Sequence, residues 1–314
     1  MKILFTSVGR RVELIQAFKN AAERLKIELI IYGADITSSA PALQFCDERV
    51  IVPRINNEQY IPKLKEICQE EQIDALIPTI DTDLMILAQN RKNFGKTTVV
   101  ISEKDKIAIC RDKRFTADYF NSVGLKSPHP VDDWREYHGG YPAFIKPKDG
   151  SSSVFAYKVT DEEELKMLSE QVPDYIIQPF IEGTEYTIDI FCDFCGEPIF
   201  ITPRIRLAVR AGEVLKTEIK QDSQIINEMK LLIKDYKPYG QITVQMIRES
   251  TTGDDYYIEI NPRFGGGAPL TMKAGADSAE MLLRLIRGEE IKYQEKAAED
   301  GAVFSRFDQS IRVK

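Results

Sequence analysis

The first hundred residues alternate between short apolar runs and helical patterns, and this alternation constrains the fold more than any other feature. Apolar runs typical of strands occupy residues 2–6, 27–33, 49–53, 74–78 and 97–102. Helical periodicity is present at residues 12–25, 57–71 and 83–90. Strands that alternate with helices at this spacing form a parallel sheet covered on both faces. We therefore expect an α/β domain with a parallel sheet at the start of the chain.

The segments that follow these strands are candidates for ligand contacts, because ligands bind beyond the carboxyl ends of the strands in such sheets. They are SVGRR at 7–11, ADITSSAPA at 34–42 and PTIDTD at 78–83. SVGRR does not match G-x-G-x-x-G, so the dinucleotide-binding fingerprint is absent. Arg10 and Arg11 could offer positive charge to an anionic substrate. The alternative is that they cap and solvate the first helix, and we favour it for Arg11.

The chain after residue 103 is organised differently, with strands joined mainly through hairpins. Helical patterns lie at residues 113–124, 161–171, 223–236 and 278–288. Strand patterns lie at residues 141–159, 174–194, 198–209, 212–219, 240–249 and 255–261, the first two each holding two strands. This order predicts an α+β region with antiparallel sheet.

The stretch IEINPRF at 258–264 reads as a strand that ends in polar groups. Alternation along a strand puts Glu259, Asn261 and Arg263 on one face and Ile258 and Ile260 on the other. Carboxylate and carbonyl oxygens are the ligands that Mg²⁺ prefers, and an arginine beside them suits phosphate. This predicts a metal–phosphate site, and the alternative is a solvated strand face that leads into a turn.

A second strand adds an oxygen ligand to this set. The hairpin that joins residues 240–249 to 255–261 turns near Thr252, which places Gln245 opposite Glu259. Three oxygen-bearing groups on one sheet face, Gln245, Glu259 and Asn261, are costly to bury without a cation. The register of the hairpin therefore favours the metal site.

Two other stretches have the chemistry of a nucleotide site. Lys146 ends a strand before the flexible loop DGSSS, where small residues let backbone amides approach phosphate, although surface hairpins also use such residues. In QPFIEGTEYTIDI, the strand edge at Gln178, Phe180 and Ile181 could bind an adenine through its backbone. Glu185 could accept hydrogen bonds from ribose hydroxyls.

The order of these elements resembles the ATP-grasp superfamily over residues 105–290. The most specific motif is Gln245 followed by IEINPR at 258–263, which is similar to the motif of carbamoyl phosphate synthase large subunits. TSVGRR and INPRFGGG resemble a stand-alone branch of that group. The chain is also too short to match the duplicated synthase. The resemblance implies a two-lobed fold with antiparallel sheets after a Rossmann-like domain. The implied domains are a Rossmann-like pre-ATP-grasp domain at 1–104, a small nucleotide-binding lobe at 105–182, and a large lobe with the metal site and a C-terminal tail at 183–314.

The resemblance also implies roles for individual residues. The implied nucleotide-binding residues are Lys113, Lys146, Gly150, Ser151, Ser152, Ser153, Gln178, Phe180, Ile181, Glu185 and Gln245. Glu259 and Asn261 match magnesium ligands, with Gln245 near the metals or phosphates. Arg263 matches the residue that stabilises the transferring phosphoryl group. The loop DGSSS departs from the longer glycine-rich run of the family.

The activity implied is that of an ATP-dependent carboxylate–amine, or carboxylate–thiol, ligase that forms an acyl phosphate and releases ADP and phosphate. Its implied cofactors are ATP and one or two Mg²⁺ ions, for which Mn²⁺ can substitute. The resemblance implies that Arg263 and Lys146 are catalytic, and the strand pair at 203–218 adds Arg204 and Arg210 as candidates that could bind a substrate carboxylate or the γ-phosphate. Among Arg204, Arg206 and Arg210, the sequence does not decide which one contacts substrate or phosphate. The alternatives are an enzyme that forms carbamoyl or another acyl phosphate, and a regulatory protein that binds ATP without turnover.

The composition limits the classes of partner and the cellular compartment that we expect for this chain. The net charge of −7 argues against a nucleic-acid binder, and no apolar run approaches the length of a membrane span. Five scattered cysteines fit reduced thiols, and the CxxC at Cys192 and Cys195 reads as a hairpin turn rather than a redox or metal motif. We expect a cytoplasmic enzyme with small carboxylate and amine substrates. A homodimer is common in the family.

Overall fold

The first domain of the computed structural model, which describes residues 1–150 and 154–313, is built on a five-stranded parallel sheet. Its strands are β1 (Lys2–Thr6), β2 (Ile30–Asp35), β3 (Glu48–Ile51), β4 (Ala75–Pro78) and β5 (Thr98–Val99). Its helices are α1 (Val12–Leu25), α2 (Tyr60–Glu70) and α3 (Asp81–Asn90). The strand order is β3-β2-β1-β4-β5 and every pair is parallel. The predicted parallel sheet is confirmed.

Alternation along β1 explains why helices cover both faces of this sheet. Ile3 and Phe5 join the core that contains Phe18 of α1, whereas Leu4 joins the core that contains Leu64 of α2. All of these side chains are fully buried. Burying each of them stabilises the fold by about 1.5–3 kcal/mol relative to exposure.

The rest of the chain forms two antiparallel sheets. The small sheet has the order β7-β6-β8 and the large one the order β13-β12-β9-β10-β11-β14. The strands of the small sheet are β6 (Ala143–Pro147), β7 (Tyr157–Val159) and β8 (Tyr175–Pro179). Those of the large sheet are β9 (Gly183–Cys192), β10 (Pro198–Arg210), β11 (Glu213–Ile219), β12 (Gln241–Glu249), β13 (Asp255–Asn261) and β14 (Val303–Ser305). The helices are α4 (Lys104–Arg111), α5 (Lys113–Ser122), α6 (Glu162–Ser169), α7 (Ser223–Tyr236), α8 (Ala268–Lys273) and α9 (Ser278–Ile286).

Three of these elements, α4, α8 and β14, were not predicted. Each is short, and α4 buries only Ile107, so its sequence carries almost no apolar stripe. The GGGAP stretch at 265–269 leads into α8 with Pro269 in the first turn.

The prediction that Ile258 shares a face with Ile260 was wrong. Tyr257 instead joins Ile260 in the core, three residues away, because the pairing of β12 with β13 is irregular at this point. Glu259 stays opposite Gln245, as predicted. The bulge therefore shifts the first half of β13 without moving its polar end.

One apolar core joins the first domain to the large sheet. Helix α1 packs against α8 and α9, and the Phe18 ring lies edge-on to Phe5 at 5.0 Å and to Phe264 at 5.8 Å. The small sheet has a separate core around Ile145 and Leu165. Helix α5 packs on β13, where the rings of Phe120 and Tyr257 are 5.4 Å apart. We therefore propose that α4 and α5 belong to the large lobe, rather than to the small lobe predicted for 105–182.

None of the helices within residues 1–150 and 154–313 has the length and apolar character needed to cross a bilayer. The five cysteines are free thiols, with Cys192 buried and Cys195 exposed in the turn after β9.

The aromatic contact between Phe18 and Phe264 makes a stability prediction. Replacing Phe18 with alanine should lower the free energy of unfolding by about 3–5 kcal/mol, because a fully buried ring leaves a cavity between two domains. Leu231→Ala on α7 is the control, since this side chain is 60% exposed and its loss should change stability by less than about 0.5 kcal/mol. Urea denaturation measures both, and equal losses would contradict the shared core.

Candidate active site

The end of β13 carries a line of polar side chains on one face. The Asn261 amide donates to Glu259 Oε1 at 2.8 Å, and Arg263 Nη2 donates to Asn261 Oδ1 at 3.3 Å. Gln245 is paired with Glu259 across the hairpin and is half-buried. The structure thus brings together the four residues that the alternation and the hairpin register predicted to be neighbours.

Two lysines face this strand end. Lys113 is the first residue of α5, and its Nζ donates to the Gly150 carbonyl at 3.0 Å. Lys146 lies on β6 and is only 8% exposed. Burial and the charge of Lys113 together lower the pKa of Lys146 to about 8, against the opposing effect of Glu259. Burial also lowers the pKa of Lys113, again opposed by Glu259. Two lysines from different elements therefore share the surroundings of one carboxylate.

Ser151, Ser152 and Ser153 of the predicted phosphate loop lie outside the described residues. Gly150, which precedes them, has a φ of +96°, and its carbonyl accepts from Lys113 Nζ at 3.0 Å. Residues other than glycine rarely adopt this backbone conformation.

The predicted adenine-binding strand edge is partly occupied by contacts within the protein. The Gln178 side chain is buried and donates to the Pro128 carbonyl at 2.6 Å. The Phe180 amide donates to the Pro142 carbonyl at 3.1 Å. These two donors are therefore already satisfied. Ile181 follows in the connection to β9. Glu185 lies on β9, keeps about half of its side chain exposed and is 3.3 Å from Arg206 Nε.

Arg204 is held by a buried carboxylate. Its Nε donates to Asp189 Oδ2 at 2.8 Å, and Asp189 also accepts from the hydroxyls of Thr271 at 2.6 Å and Thr243 at 3.2 Å. Both charged residues are at most 2% exposed. Nη1 of Arg204 is buried and has no hydrogen-bond partner within the described part of the chain. The guanidinium is thus fixed on one edge and keeps a donor for a ligand.

The other two arginines of β10 are placed differently. Arg206 donates to the Gly212 carbonyl at 3.0 Å. Arg210 is 60% exposed and pairs with Asp308 at 3.0 Å. Arg204 therefore fits a buried ligand contact better than Arg210, which the sequence analysis gave the same role.

Asp81 is a residue of this site that the sequence analysis missed. Its carboxylate accepts from Arg263 Nε at 2.9 Å and Nη2 at 2.6 Å, across 182 positions of the chain. The segment PTIDTD had been placed at the carboxyl edge of the first sheet, which was the only available signal. Local patterns could not show that Arg263 approaches this edge from the large lobe.

The two halves of the chain match two family descriptions. Residues 110–267 match the ATP-grasp domain, and residues 3–101 match the PylC-like N-terminal domain. The chain belongs to the ATP-grasp family. The resemblance stated from the sequence and the fold class implied by it are both confirmed.

Named relatives include ligases. The chain is 26% identical over 181 residues to a 3-methyl-D-ornithine–L-lysine ligase of Methanosarcina acetivorans, covering 57% of this chain and 46% of the relative. It is 24% identical over 318 residues to the N-terminal section of the carbamoyl phosphate synthase large chain of Aquifex aeolicus, covering 90% of this chain and 56% of the relative. The chain thus spans about half the length of these two proteins.

A solved structure supports the fold of this ATP-grasp protein. The biotin carboxylase domain of 2-oxoglutarate carboxylase from Hydrogenobacter thermophilus, in complex with MgADP, ADP and bicarbonate, superposes with a TM-score of 0.75. It is 17% identical, with 96% of this chain and 73% of that chain covered.

The donor set at the end of β13 fits a hard cation. Glu259 supplies a carboxylate, while Asn261 and Gln245 supply amide oxygens, and oxygen ligands of these kinds bind Mg²⁺. Within residues 1–150 and 154–313, no group of three His, Cys, Asp or Glu side chains is arranged to hold a metal. A cation at Glu259 would therefore need substrate oxygens to complete its shell, which is how Mg²⁺ is commonly bound beside phosphates.

The buried pair of Asp189 and Arg204 makes a prediction for this ATP-grasp site. Asp189→Asn should lower the free energy of unfolding by about 3–5 kcal/mol, because Arg204 would become an uncompensated buried charge. The exposed pair of Arg210 and Asp308 provides the control, and Asp308→Asn should leave the urea midpoint unchanged. A midpoint for Asp189→Asn equal to that of the unchanged protein would show that the pair is not buried in solution.

Proposed function

We propose that this chain is an ATP-dependent ligase that joins a carboxylate to an amine through an acyl phosphate, with release of ADP and phosphate. The observation that carries the proposal is the convergence of Lys113 and Lys146 on the strand end that presents Glu259, Asn261 and Arg263. The name of the methylornithine–lysine ligase relative supports the same reaction class.

Burial of two like charges supports the binding of a polyanion. Lys146 loses solvation on burial and also feels the positive charge of Lys113, so its ammonium form is destabilised in the free protein. A triphosphate placed between the two lysines would reverse this cost. We propose contacts to the nucleotide from Gln178, Phe180, Ile181 and Glu185, with backbone groups rather than the buried Gln178 side chain facing the base.

Glu259 and Asn261, with Gln245 beside them, would hold one or two Mg²⁺ ions, and substitution by Mn²⁺ stays a prediction. When bound, the metal neutralises phosphate charge and aligns the transferring group. The protein's own part is to position these side chains and to supply positive charge from Lys146 and Arg263 where negative charge develops.

Arg204 suits the carboxylate that is phosphorylated. Its guanidinium is fixed by Asp189 on one edge, and its buried Nη1 is available as a donor to an anionic oxygen. A preorganised donor of this kind stabilises an acyl phosphate and the negative charge that forms when an amine attacks it. We assign no comparable role to Arg210, which pairs with Asp308.

A second candidate function is the formation of carbamoyl phosphate or another acyl phosphate as the released product. The likeness to the N-terminal section of a carbamoyl phosphate synthase large chain favours it. The two candidates differ in whether the final product keeps the phosphoryl group. Small-molecule substrates, a homodimer and a cytoplasmic location stay predictions in both cases.

ADP release with Mg²⁺-ATP, measured across a panel of carboxylates, amino acids and amines that includes bicarbonate and ammonia, tests the proposal. Mass spectrometry should find a product that has lost one water, which identifies a ligase, whereas a phosphorylated product identifies the alternative. Glu259→Gln should reduce ADP release by about 100-fold or more, because a charged metal ligand is lost. Glu290→Gln, at an exposed position, is the control. No binding of Mg²⁺-ATP by the unchanged protein would refute both candidates.

The pKa of Lys146 gives a pH dependence. It lies at about 8 in the free protein, so the ammonium form is present below pH 8 and is lost as the pH rises through that value. Affinity for Mg²⁺-ATP should therefore fall above pH 8. Lys146→Met should bind ATP weakly at every pH, and its affinity should lack the fall near pH 8. Isothermal titration between pH 6.5 and 9.5 measures this, and an unchanged pH profile in the variant would assign the titration to another group.

A further inference from the structure

The sequence analysis favoured a role for Arg11 in capping and solvating the first helix, and this prediction was wrong. Arg11 occupies the position before α1 without a side-chain capping bond, and its side chain is only 19% exposed. Its Nη2 donates to the Thr79 carbonyl at 3.4 Å, and its Nη1 lies 3.6 Å from Glu213 Oε1. Both distances are long for a charged donor, which normally reaches its acceptor at about 2.7–2.9 Å. The neighbouring Arg10 is, by contrast, 85% exposed.

Arg11 lies where a parallel sheet binds ligands. It follows β1, and Thr79 follows β4, the two strands between which the strand order reverses in β3-β2-β1-β4-β5. The crevice beyond the carboxyl ends of such a strand pair is the usual ligand site of open α/β sheets. The ion pair of Arg263 with Asp81 brings the end of β13 onto the same crevice.

Two consecutive glycines, Gly266 and Gly267, lie against the guanidinium groups of Arg11 and Arg204. A side chain at position 266 would come within 2.7 Å of Arg11 Nη1 and would overlap Glu213. A side chain at position 267 would come within 2.5 Å of Arg204 Nη2. The turn at Gly265–Gly267 therefore lies against two guanidinium groups, one from each domain. Arg204 Nη1 is buried there without a partner among the described residues.

We propose that Arg11 binds the non-reacting carboxylate of an amino acid whose amino group attacks the acyl phosphate. The inference rests on the proposed ligase function. We assign Lys113, Lys146 and Arg263 to the transferring phosphate, and Arg11, which lies on another domain, to a different anion. Ammonia or a simple amine would leave this buried guanidinium without a strong acceptor, at a cost in free energy.

Glu213 supports an amino acid over a simple carboxylic acid at this place. Its carboxylate lies 3.6 Å from Arg11, keeps 49% of its side chain exposed and is shared with Arg306 at 3.0 Å. One positive and one negative group at this separation match the two charges of a zwitterionic amino acid. The ammonium group would then lie at the face of the crevice that adjoins Arg204.

The bonds and charges of the reaction balance. The amine nitrogen forms a bond to the acyl carbon, the bond from that carbon to the phosphate oxygen breaks, and inorganic phosphate leaves. The ammonium form of the amino acid gives up two protons, of which one is carried by hydrogen phosphate and one is released. No oxidant, reductant or further reactant is required.

Binding of an amino acid and of its α-amide tests the inference directly. The full chain, with MgADP and inorganic phosphate present, is titrated with the twenty L-amino acids, D-alanine and the corresponding α-amides. At least one amino acid should bind 10-fold or more tightly than its amide. Arg11→Gln should weaken that binding about 10- to 100-fold, because a charge-assisted pair is lost. Arg11→Lys should show an intermediate loss, and Arg10→Gln should show none.

Each outcome decides the inference. Equal binding of acid and amide, the absence of binding by every amino acid, or a preference that persists in Arg11→Gln with an unchanged melting temperature would overturn it. ADP release on the same panel separates the inference from the proposed function. Binding that depends on Arg11 without ADP release would retain the amino-acid site and refute the ligase. ADP release that is equally fast with amides would retain the ligase and refute the amino-acid site.

Discussion

Burial of positive charge is the constraint on which the site depends. Lys146 is nearly inaccessible and Arg204 more so, and Nη1 of Arg204 has no acceptor among the described residues. A buried cation is tolerated only when an anion or several acceptors compensate it. Asp189 compensates Arg204 on one edge, and Glu259 partly compensates the lysines. The positive charge that these carboxylates do not compensate suits anions from outside the protein, such as phosphates and carboxylates.

The fold places these cations by joining three sheets at their ends. The parallel sheet contributes the loop with Arg11, the small sheet contributes Lys146, and the large sheet contributes Arg204 and the end of β13. The aromatic contacts of Phe18 with Phe5 and Phe264 hold the first domain against the large lobe directly beside Arg263. A buried contact of this kind fixes the separation between the crevice and the polar groups at the end of β13 more firmly than exposed ion pairs could.

Much of the fold could be predicted from the sequence because its cause is local. Helix α1 was predicted with both ends correct, since its apolar positions recur at helical spacing. The opposition of Gln245 and Glu259 followed from the symmetry of one hairpin, and it survived the bulge that moved Ile258. The contacts that required tertiary structure were missed. Asp81 meets Arg263 across 182 positions, and Asp189 fixes Arg204 from a neighbouring strand. Arg11 was read as a helix cap because nothing in its own segment shows that it turns inward.

The pairing of Arg263 with Asp81 bears on how the two halves of the site cooperate. A guanidinium has five N–H donors, and Asp81 engages the edge formed by Nε and Nη2. Among the residues that the structure describes, the contact of Nη1 is with the Phe264 carbonyl at 3.3 Å, so this end keeps capacity for an anion. The carboxylate of the first domain therefore sets the direction in which Arg263 of the large lobe presents its remaining donors. The start of α3, which carries Asp81, also borders the crevice of Arg11, so occupation of that crevice and the orientation of Arg263 depend on the same few residues.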